Sequence, residues 1–304
     1  MNHRALLGIL TAFLVMGALL ALIRLTSSEV TGLVFSTDLL VRVSATAGLM
    51  ALTYCLAIIL WHRFLLLFGE KRSWSETTLD IGFLSVGKYF PGKIVGLLAR
   101  GAIQGNASAV SASSAALSIL EQLVSLIVGC ITGLCLFGAA LIFNEPKQLA
   151  IFALGYLVLA ALCLKIFLRL VHRVPFIAKK LDKRLTTIPY STACWLGLGY
   201  GLTWALTAFS LAPLVETVLA PGETLLLLSV FLISIVAGWL AIFAPAGIGV
   251  REAVFTALAA PVVPWQQALL WISLHRLICC GLDIFFGAIC LFFSSLRLRK
   301  PCRK

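Results

Sequence analysis

Charged residues are scarce in this sequence of 304 residues, where Asp, Glu, Lys and Arg together make up 12%. In soluble globular proteins these four residue types make up about a quarter of the chain. Hydrophobic residues reach 61%, and the mean hydropathy is +1.05. This composition excludes a soluble enzyme, a disordered chain and a disulfide-stabilised scaffold. It predicts an all-α polytopic membrane protein, with residues 1–304 forming a single integral membrane domain.

Sequence motifs for common enzyme chemistry are absent as well. There is no Walker phosphate-binding loop, no HExxH motif, and no CxxC or Cys/His pairing at metal-ligand spacing. Eight of the nine cysteines lie in apolar stretches, where we expect small core residues. We therefore expect no catalytic residue, no metal and no cofactor. The net charge of +12 lies mostly between apolar segments, where basic residues orient membrane helices, so we expect no nucleic-acid partner.

Apolar stretches long enough to cross a bilayer recur along the whole chain. Two further stretches are interrupted, 79–106 by GKYFPGK (87–93) and 224–262 by APAGIGVREA (244–253). Proline and glycine break helices, and irregular backbone at membrane depth persists only where protein buries it or water reaches it. The interrupting residues are Gly87, Pro91, Gly92, Pro245, Gly247 and Gly249. The predicted full spans are 5–24, 39–60, 109–143, 149–169, 193–215 and 266–296.

The sequence thus predicts about six full transmembrane helices plus two broken or re-entrant helical hairpins, or eight helices if the hairpins are counted as spans. An ordinary bundle of eight spans with two proline kinks is the alternative. Loop charges orient the chain, because Lys and Arg are enriched in cytoplasmic loops. Segments 61–76 and 165–190 are basic and predicted inside, whereas 25–38 and 216–223 are acidic and predicted outside. Both termini are then cytoplasmic, and the two hairpins open to opposite faces.

The spacing around the two breaks predicts an inverted repeat. Pro91 lies 30 residues before Glu121, and Pro245 lies 30 residues before His275. The separation between Pro91 and Pro245 also relates Gln122 to Arg276 and Gly133 to Gly287. The repeat halves are about 39–170 and 193–296. Many secondary transporters are built in this way, with the substrate site where broken helices meet near the midplane.

Ionisable residues within the predicted spans are the candidate substrate-binding residues, because such groups usually face a bundle interior or a cavity. Five cations face three anions, and His275 adds charge if it is protonated. This surplus of positive charge suits an anionic guest such as phosphate, which Arg binds through a planar fork. The candidates are Lys88, Lys93, Arg100, Glu121, Arg251, Glu252, His275, Arg276 and Asp283.

Structural roles are the alternative for the same residues. Acidic groups neutralise buried arginines, and Glu121 and Arg276 are positioned to meet across the pseudo-symmetry axis. Lys88 and Lys93 have long side chains that can reach a membrane surface from within a span.

Several motifs resemble the transmembrane, flippase-like domain of the lysylphosphatidylglycerol synthase family. GKYFPGKIVGLLAR (87–100) is similar to the family's first Gly/Pro motif with its following Arg. Glu121–Gln122 resembles its Glu/Asp-Arg pair, with Gln122 in place of the Arg. APAGIGVREA (244–253) resembles its Pro-Gly-Gly-x-Gly-x-Arg-Glu motif, with Ala246 in place of the first Gly. The resemblance covers roughly residues 5–296.

This resemblance implies a stand-alone protein of the bacterial or archaeal inner membrane that moves a lipid between leaflets. Aminoacylated phospholipids and glycan-linked or polyprenyl lipids are the cargoes that the resemblance implies. Together with the cationic surplus, this predicts an anionic phospholipid, glycolipid or polyprenyl-linked lipid as cargo and partner. The aminoacyl-transferring domain is absent, so we do not expect enzyme activity. One alternative is a non-catalytic partner of an envelope glycosyltransferase or lipid-modifying enzyme, docked through residues 165–184. Another is a membrane-embedded enzyme that uses Glu121, His275 and Asp283 as acid or base.

Overall fold

A computed structural model describes six segments of the chain: 37–70, 72–89, 112–142, 190–215, 219–241 and 244–298. These segments contain α-helices and short 3-10 turns and no strand, so the all-helical prediction is confirmed for the described residues. The seven α-helices are α1 (Thr37–Leu67), α2 (Trp74–Gly87), α3 (Ala112–Ile142), α4 (Tyr190–Phe209), α5 (Pro221–Leu240), α6 (Val250–Ala259) and α7 (Trp265–Leu298).

Four of these helices are long and apolar enough to cross a membrane. Their spanning portions are Thr37–Leu67, Ala116–Leu141, Pro221–Leu240 and Trp265–Cys290. They match the predicted spans 39–60, 109–143 and 266–296 and the first part of the interrupted stretch 224–262. Helix α4, within the predicted span 193–215, has 20 residues but is not among the four. The predicted spans 5–24 and 149–169 lie outside the described residues.

Local sequence explains where several helices begin. The Ser73 hydroxyl accepts a hydrogen bond from the Glu76 amide at 3.3 Å, and Glu76 accepts one from the Ser73 amide at 2.9 Å. This reciprocal capping satisfies two amides that the first turn of α2 leaves without helical partners. Glu223 similarly accepts a hydrogen bond from the Ala220 amide at 2.9 Å where α5 begins with Pro221.

Two apolar cores hold the helices together. The first is centred on α1, α3 and α4 and includes Trp61, Phe64 and Val124, all fully buried. The second joins α5, α6 and α7 through Phe231 and Phe255, whose rings meet edge to face. Helix α2, which ends at the first interruption, packs on α7. The end of α5, at the second interruption, lies against the turn that precedes α6.

Candidate functional site

The second break is a tight turn between α5 and α6. Ala246, Gly247 and Gly249 have positive φ angles of 50°, 72° and 79°. A side chain on Gly247 would clash, because an added Cβ would lie 2.6 Å from the Gly238 carbonyl oxygen. Glycine lacks a Cβ and adopts positive φ readily, so the turn folds back closely against α5. Pro245, Gly247 and Gly249, the residues predicted to interrupt the second stretch, thus lie in the turn between α5 and α6.

Arg276 on α7 stabilises this turn through hydrogen bonds and an ion pair. The residue is 3% exposed, and its guanidinium donates to Glu252 Oε1 at 2.6 Å and to the Ala246 carbonyl at 2.6 Å. The other carboxylate oxygen of Glu252 accepts the Gly249 amide at 2.8 Å, which caps the start of α6. Both charges are thus neutralised within the protein, so the contacts of Arg276 and Glu252 favour a structural role.

A second buried ion pair joins the first break to α7. Asp283 is fully buried, and its carboxylate lies 2.5 Å from the Lys88 ammonium. Lys88 directly follows Gly87, the last residue of α2. The Tyr89 hydroxyl donates to the same carboxylate at 2.7 Å, and the Tyr54 hydroxyl from α1 also donates to it. Three donors from two other parts of the chain compensate the burial of this charge.

The two breaks touch each other. The Ala246 amide in the second break donates to the Lys88 carbonyl in the first break at 2.9 Å. The Tyr89 hydroxyl also lies 3.0 Å from the sulfur of Cys280 on α7. The described parts of both interrupted stretches therefore meet against one face of α7, between its two buried ion pairs.

Arg251, in the first turn of α6, has a different environment. Among the basic side chains described around the breaks (Lys88, Arg251 and Arg276), Arg251 alone has no carboxylate within 4 Å. Its guanidinium lies 5.0 Å from the Phe231 ring centroid, and one terminal nitrogen makes a long 3.5 Å contact with His275 Nδ1. The Nε atom is buried and has no hydrogen-bond partner. Arg251 is therefore a cation with free donor capacity.

His275 is held as a neutral acceptor beside Arg251. The Ser210 hydroxyl donates to the Thr207 carbonyl at 2.7 Å, so its oxygen accepts the Nε2–H of His275, also at 2.7 Å. The network therefore assigns the proton to Nε2 and leaves the Nδ1 lone pair facing Arg251 and the Cys279 sulfur. In this arrangement the histidine adds no positive charge, so the part of the predicted cationic surplus that required a protonated His275 is missing.

Glu121 lies apart from these networks, on α3. Its carboxylate accepts hydrogen bonds from the Tyr200 hydroxyl at 3.1 Å and from the side-chain Nε2 of Gln122 at 2.8 Å. The predicted meeting of Glu121 with Arg276 is wrong, because Arg276 is paired with Glu252. The predicted pairing required α3 and α7 to adjoin at their polar residues, whereas α6 supplies the partner instead.

Several predictions fall on residues that the structure does not describe. They concern Pro91, Gly92, Lys93, Arg100 and the basic segment 165–184. The predicted cationic surplus depends on Lys93 and Arg100, since the described candidates comprise three cations and three anions. What the described residues provide is a local imbalance at Arg251 rather than a net surplus.

Sequence reasoning missed four polar residues within this bundle. Asp80 is fully buried, accepts from the Trp61 indole at 3.0 Å and lies 3.6 Å from Arg72. As an acidic residue within an apolar stretch, it met the criterion that selected the other candidates. Tyr54, Tyr89 and Ser210 carry no such signal, because isolated hydroxyl groups are common in membrane helices.

Comparisons with known proteins leave the resemblance to the synthase family as a prediction. No family model and no curated protein sequence matches the chain. Within the described segments, no group of three or more His, Cys, Asp or Glu side chains could hold a metal ion.

Proposed function

We propose that this protein is an inner-membrane translocator that binds the anionic headgroup of a phospholipid, glycolipid or polyprenyl-linked lipid at Arg251 and moves the lipid between leaflets. The observation that carries the proposal is the guanidinium of Arg251, which has no carboxylate within 4 Å and a buried Nε without a partner. An uncompensated charge in such a place is costly, and a bound anion would offset that cost. Phosphate matches the planar donor fork of Arg.

The surroundings of Arg251 favour a binding role over a purely structural one. Glu252, the next residue, is already committed to Arg276 and the Gly249 amide. Phe231 and neutral His275 position the guanidinium without cancelling its charge. Because Lys88 is held by Asp283 nearby, an anion entering this region would meet one cation whose charge is not locally neutralised.

Helix boundaries support an internal repeat of the kind found in transporters. The described ends of α2 and α5 (Gly87, Leu240) lie 153 residues apart, within one residue of the separation between Pro91 and Pro245. The packing is reciprocal, since α3 packs on α5, α7 on α2, and α1 on α4. The glycines that the repeat matches both face these contacts: an added Cβ at Gly287 would meet Val86, and one at Gly133 would approach Leu232.

The directions of α1 and α4 support inversion of that repeat. Ser191 at the start of α4 lines a pocket with Arg63 near the end of α1. The turn that follows α4 also contacts α1, so α4 runs back along α1 from this pocket. The two equivalent helices therefore run antiparallel, as an inverted repeat requires. This arrangement supports alternating access around a site where the broken segments meet.

A lipid-movement assay tests the proposal. Purified protein in vesicles that contain fluorescent phosphatidylglycerol should expose inner-leaflet label to an added quencher, and the rate measures translocation. We expect Arg251→Gln to slow this rate about tenfold or more, because a charge-assisted hydrogen bond contributes about 1.5–3 kcal/mol. Arg251→Lys should retain part of the rate.

Arg42→Gln is the matched control, since Arg42 makes an exposed helix pair with Asp38 at 2.7 Å. Folding of each variant is checked by gel filtration and thermal unfolding in detergent. Wild-type lipid movement in well-folded Arg251→Gln protein would overturn the assignment of Arg251 as the headgroup site.

A further inference from the structure

A pocket of about 500 Å³ lies at one end of the bundle, remote in sequence from both breaks. It is formed where the last turns of α1 meet the first turns of α4. Its polar part is lined by Arg63, Ser191 and Thr192, and its apolar part by Leu66, Trp195 and Leu196. A pocket with a cationic, hydroxyl-rich part beside an apolar wall has the chemistry of a lipid headgroup joined to its acyl chains.

Arg63 is the cation of this pocket, and it is available to a ligand. The residue is exposed, and no carboxylate of the described segments lies within 4 Å of it. Arg72, which lies between α1 and α2, differs from Arg63 because it pairs with buried Asp80. The hydroxyls of Ser191 and Thr192 add donors suited to phosphate oxygens.

The exposed aromatic residues place this pocket at the level of a membrane surface. Trp195 is 46% exposed beside the pocket, and Trp74, at the start of the neighbouring α2, is 52% exposed and stacks on His62. Tryptophan is enriched at the boundary between headgroups and hydrocarbon. Leu66 is also exposed and provides an apolar surface that continues from the pocket toward the lipid-facing side of α1.

Charge in the sequence favours an anionic lipid. The segment 165–184, which ends shortly before α4 begins at Tyr190, carries seven Lys and Arg residues against one Asp. Clustered basic residues next to a span attract anionic lipids. We propose that the pocket between Arg63 and Trp195 is a separate binding site for one anionic phospholipid at the membrane surface, with the phosphate on Arg63 and the acyl chains along Leu66 and Trp195.

Native mass spectrometry of the detergent-solubilised protein tests this site directly, because it counts bound lipids without requiring transport. Phosphatidylglycerol is titrated against wild type and Arg63→Gln, and diacylglycerol with the same acyl chains serves as the phosphate-free probe. We expect Arg63→Gln to weaken binding of one phosphatidylglycerol about fivefold, the change produced by about 1 kcal/mol per basic residue at an anionic surface. Arg63→Lys should largely restore binding.

Two controls separate this site from the proposed translocation site. Arg42→Gln, on the same helix, should bind as wild type does, and Arg251→Gln should retain the Arg63-dependent lipid even if it loses movement of lipid. Loss of translocation in Arg251→Gln with unchanged Arg63-dependent binding would therefore support both assignments independently.

Three results would overturn the proposal. The first is equal phosphatidylglycerol binding by wild type and Arg63→Gln. The second is equal binding of diacylglycerol and phosphatidylglycerol, which would show that the phosphate is not recognised. The third is displacement of the lipid by free glycerol phosphate at comparable concentration, which would identify a site for a soluble phosphate ester instead.

Discussion

Backbone conformation at single residues determines the shape of the second break. Ala246 has φ 50° and ψ 17°, a left-handed conformation that an L-residue with a Cβ adopts at a cost of roughly 1–2 kcal/mol. Its amide and carbonyl both form hydrogen bonds, to Lys88 and Arg276 respectively. These contacts hold the residue in a conformation that glycine would adopt without strain.

We expect Ala246→Gly to stabilise the protein by about 1 kcal/mol, because it removes the strain and keeps both backbone hydrogen bonds. The measurement is the thermal midpoint of unfolding in detergent. Ala260→Gly is the matched control, since Ala260 has an ordinary right-handed conformation and gains nothing from glycine. A lower midpoint for Ala246→Gly than for wild type would contradict the strain argument.

Gly247→Ala should destabilise the protein by about 3 kcal/mol or more, because the new Cβ meets the backbone of Gly238 and φ is +72°. Gly48→Ala provides the contrast, since an added Cβ on α1 at this position meets no atom within 4 Å. Thermal unfolding of both variants is the measurement. Equal stability of the two would show that α5 can move away from the turn without cost.

At the scale of helices, buried ion pairs determine how the short helix α6 is held. A helix of ten residues has little stability of its own, so tertiary contacts must supply it. Phe255 packs in the core, and Glu252 links the start of α6 to Arg276 on α7. This link also positions Arg251, which is adjacent in sequence to Glu252.

Arg276→Gln should destabilise the protein by about 3–5 kcal/mol, because it leaves the Glu252 carboxylate buried without its counter-charge. The double variant Arg276→Gln/Glu252→Gln should recover part of that loss, since no unpaired charge remains. Arg42→Gln breaks an exposed pair and should cost less than about 1 kcal/mol. Chemical unfolding of the four proteins measures these differences, and a double variant less stable than Arg276→Gln would disprove the pairing argument.

For the whole molecule, the packing of α4 and α7 places defined residues at opposite ends of the bundle. Ser191 lies in the first turn of α4. Trp265 begins α7 near the end of α4, because Ala268 and Trp271 share a core with Ala208 and Leu211. The exposed side chains at Ser191 and Trp265 should therefore face opposite sides of a membrane.

In a background without reactive native cysteines, we expect Ser191→Cys and Trp265→Cys to react with a membrane-impermeant maleimide from opposite sides of sealed vesicles. The basic segment 165–190 predicts that Ser191 faces the cytoplasm. Arg63→Cys should label from the same side as Ser191→Cys, since both residues line one pocket. Labelling of Ser191→Cys and Trp265→Cys from one side would rule out this arrangement.

The sequence alone determined the all-helical class of the described residues and the cores of three long apolar helices. Apolar runs of bilayer length predicted the cores of α1, α3 and α7, because burial in hydrocarbon requires such runs irrespective of which helices adjoin. Glycine and proline marked the turn before α6 and the end of α2 at Gly87, because their backbone effects are local. Scarce charges within apolar stretches identified Asp283, Glu252 and Arg276 as polar contacts inside the bundle.

Only the tertiary structure decided which of those charges meet. Helical periodicity shows which face a residue occupies, but an ion pair depends on which helices adjoin and on a hydrogen-bond geometry that fails within an ångström or two. Arg276 therefore pairs with Glu252 and not Glu121, Asp283 takes Lys88 together with two tyrosines, and Arg251 alone of the described cations at the breaks keeps no carboxylate. The pocket at Arg63 arises for the same reason, from the antiparallel contact of helices far apart in sequence.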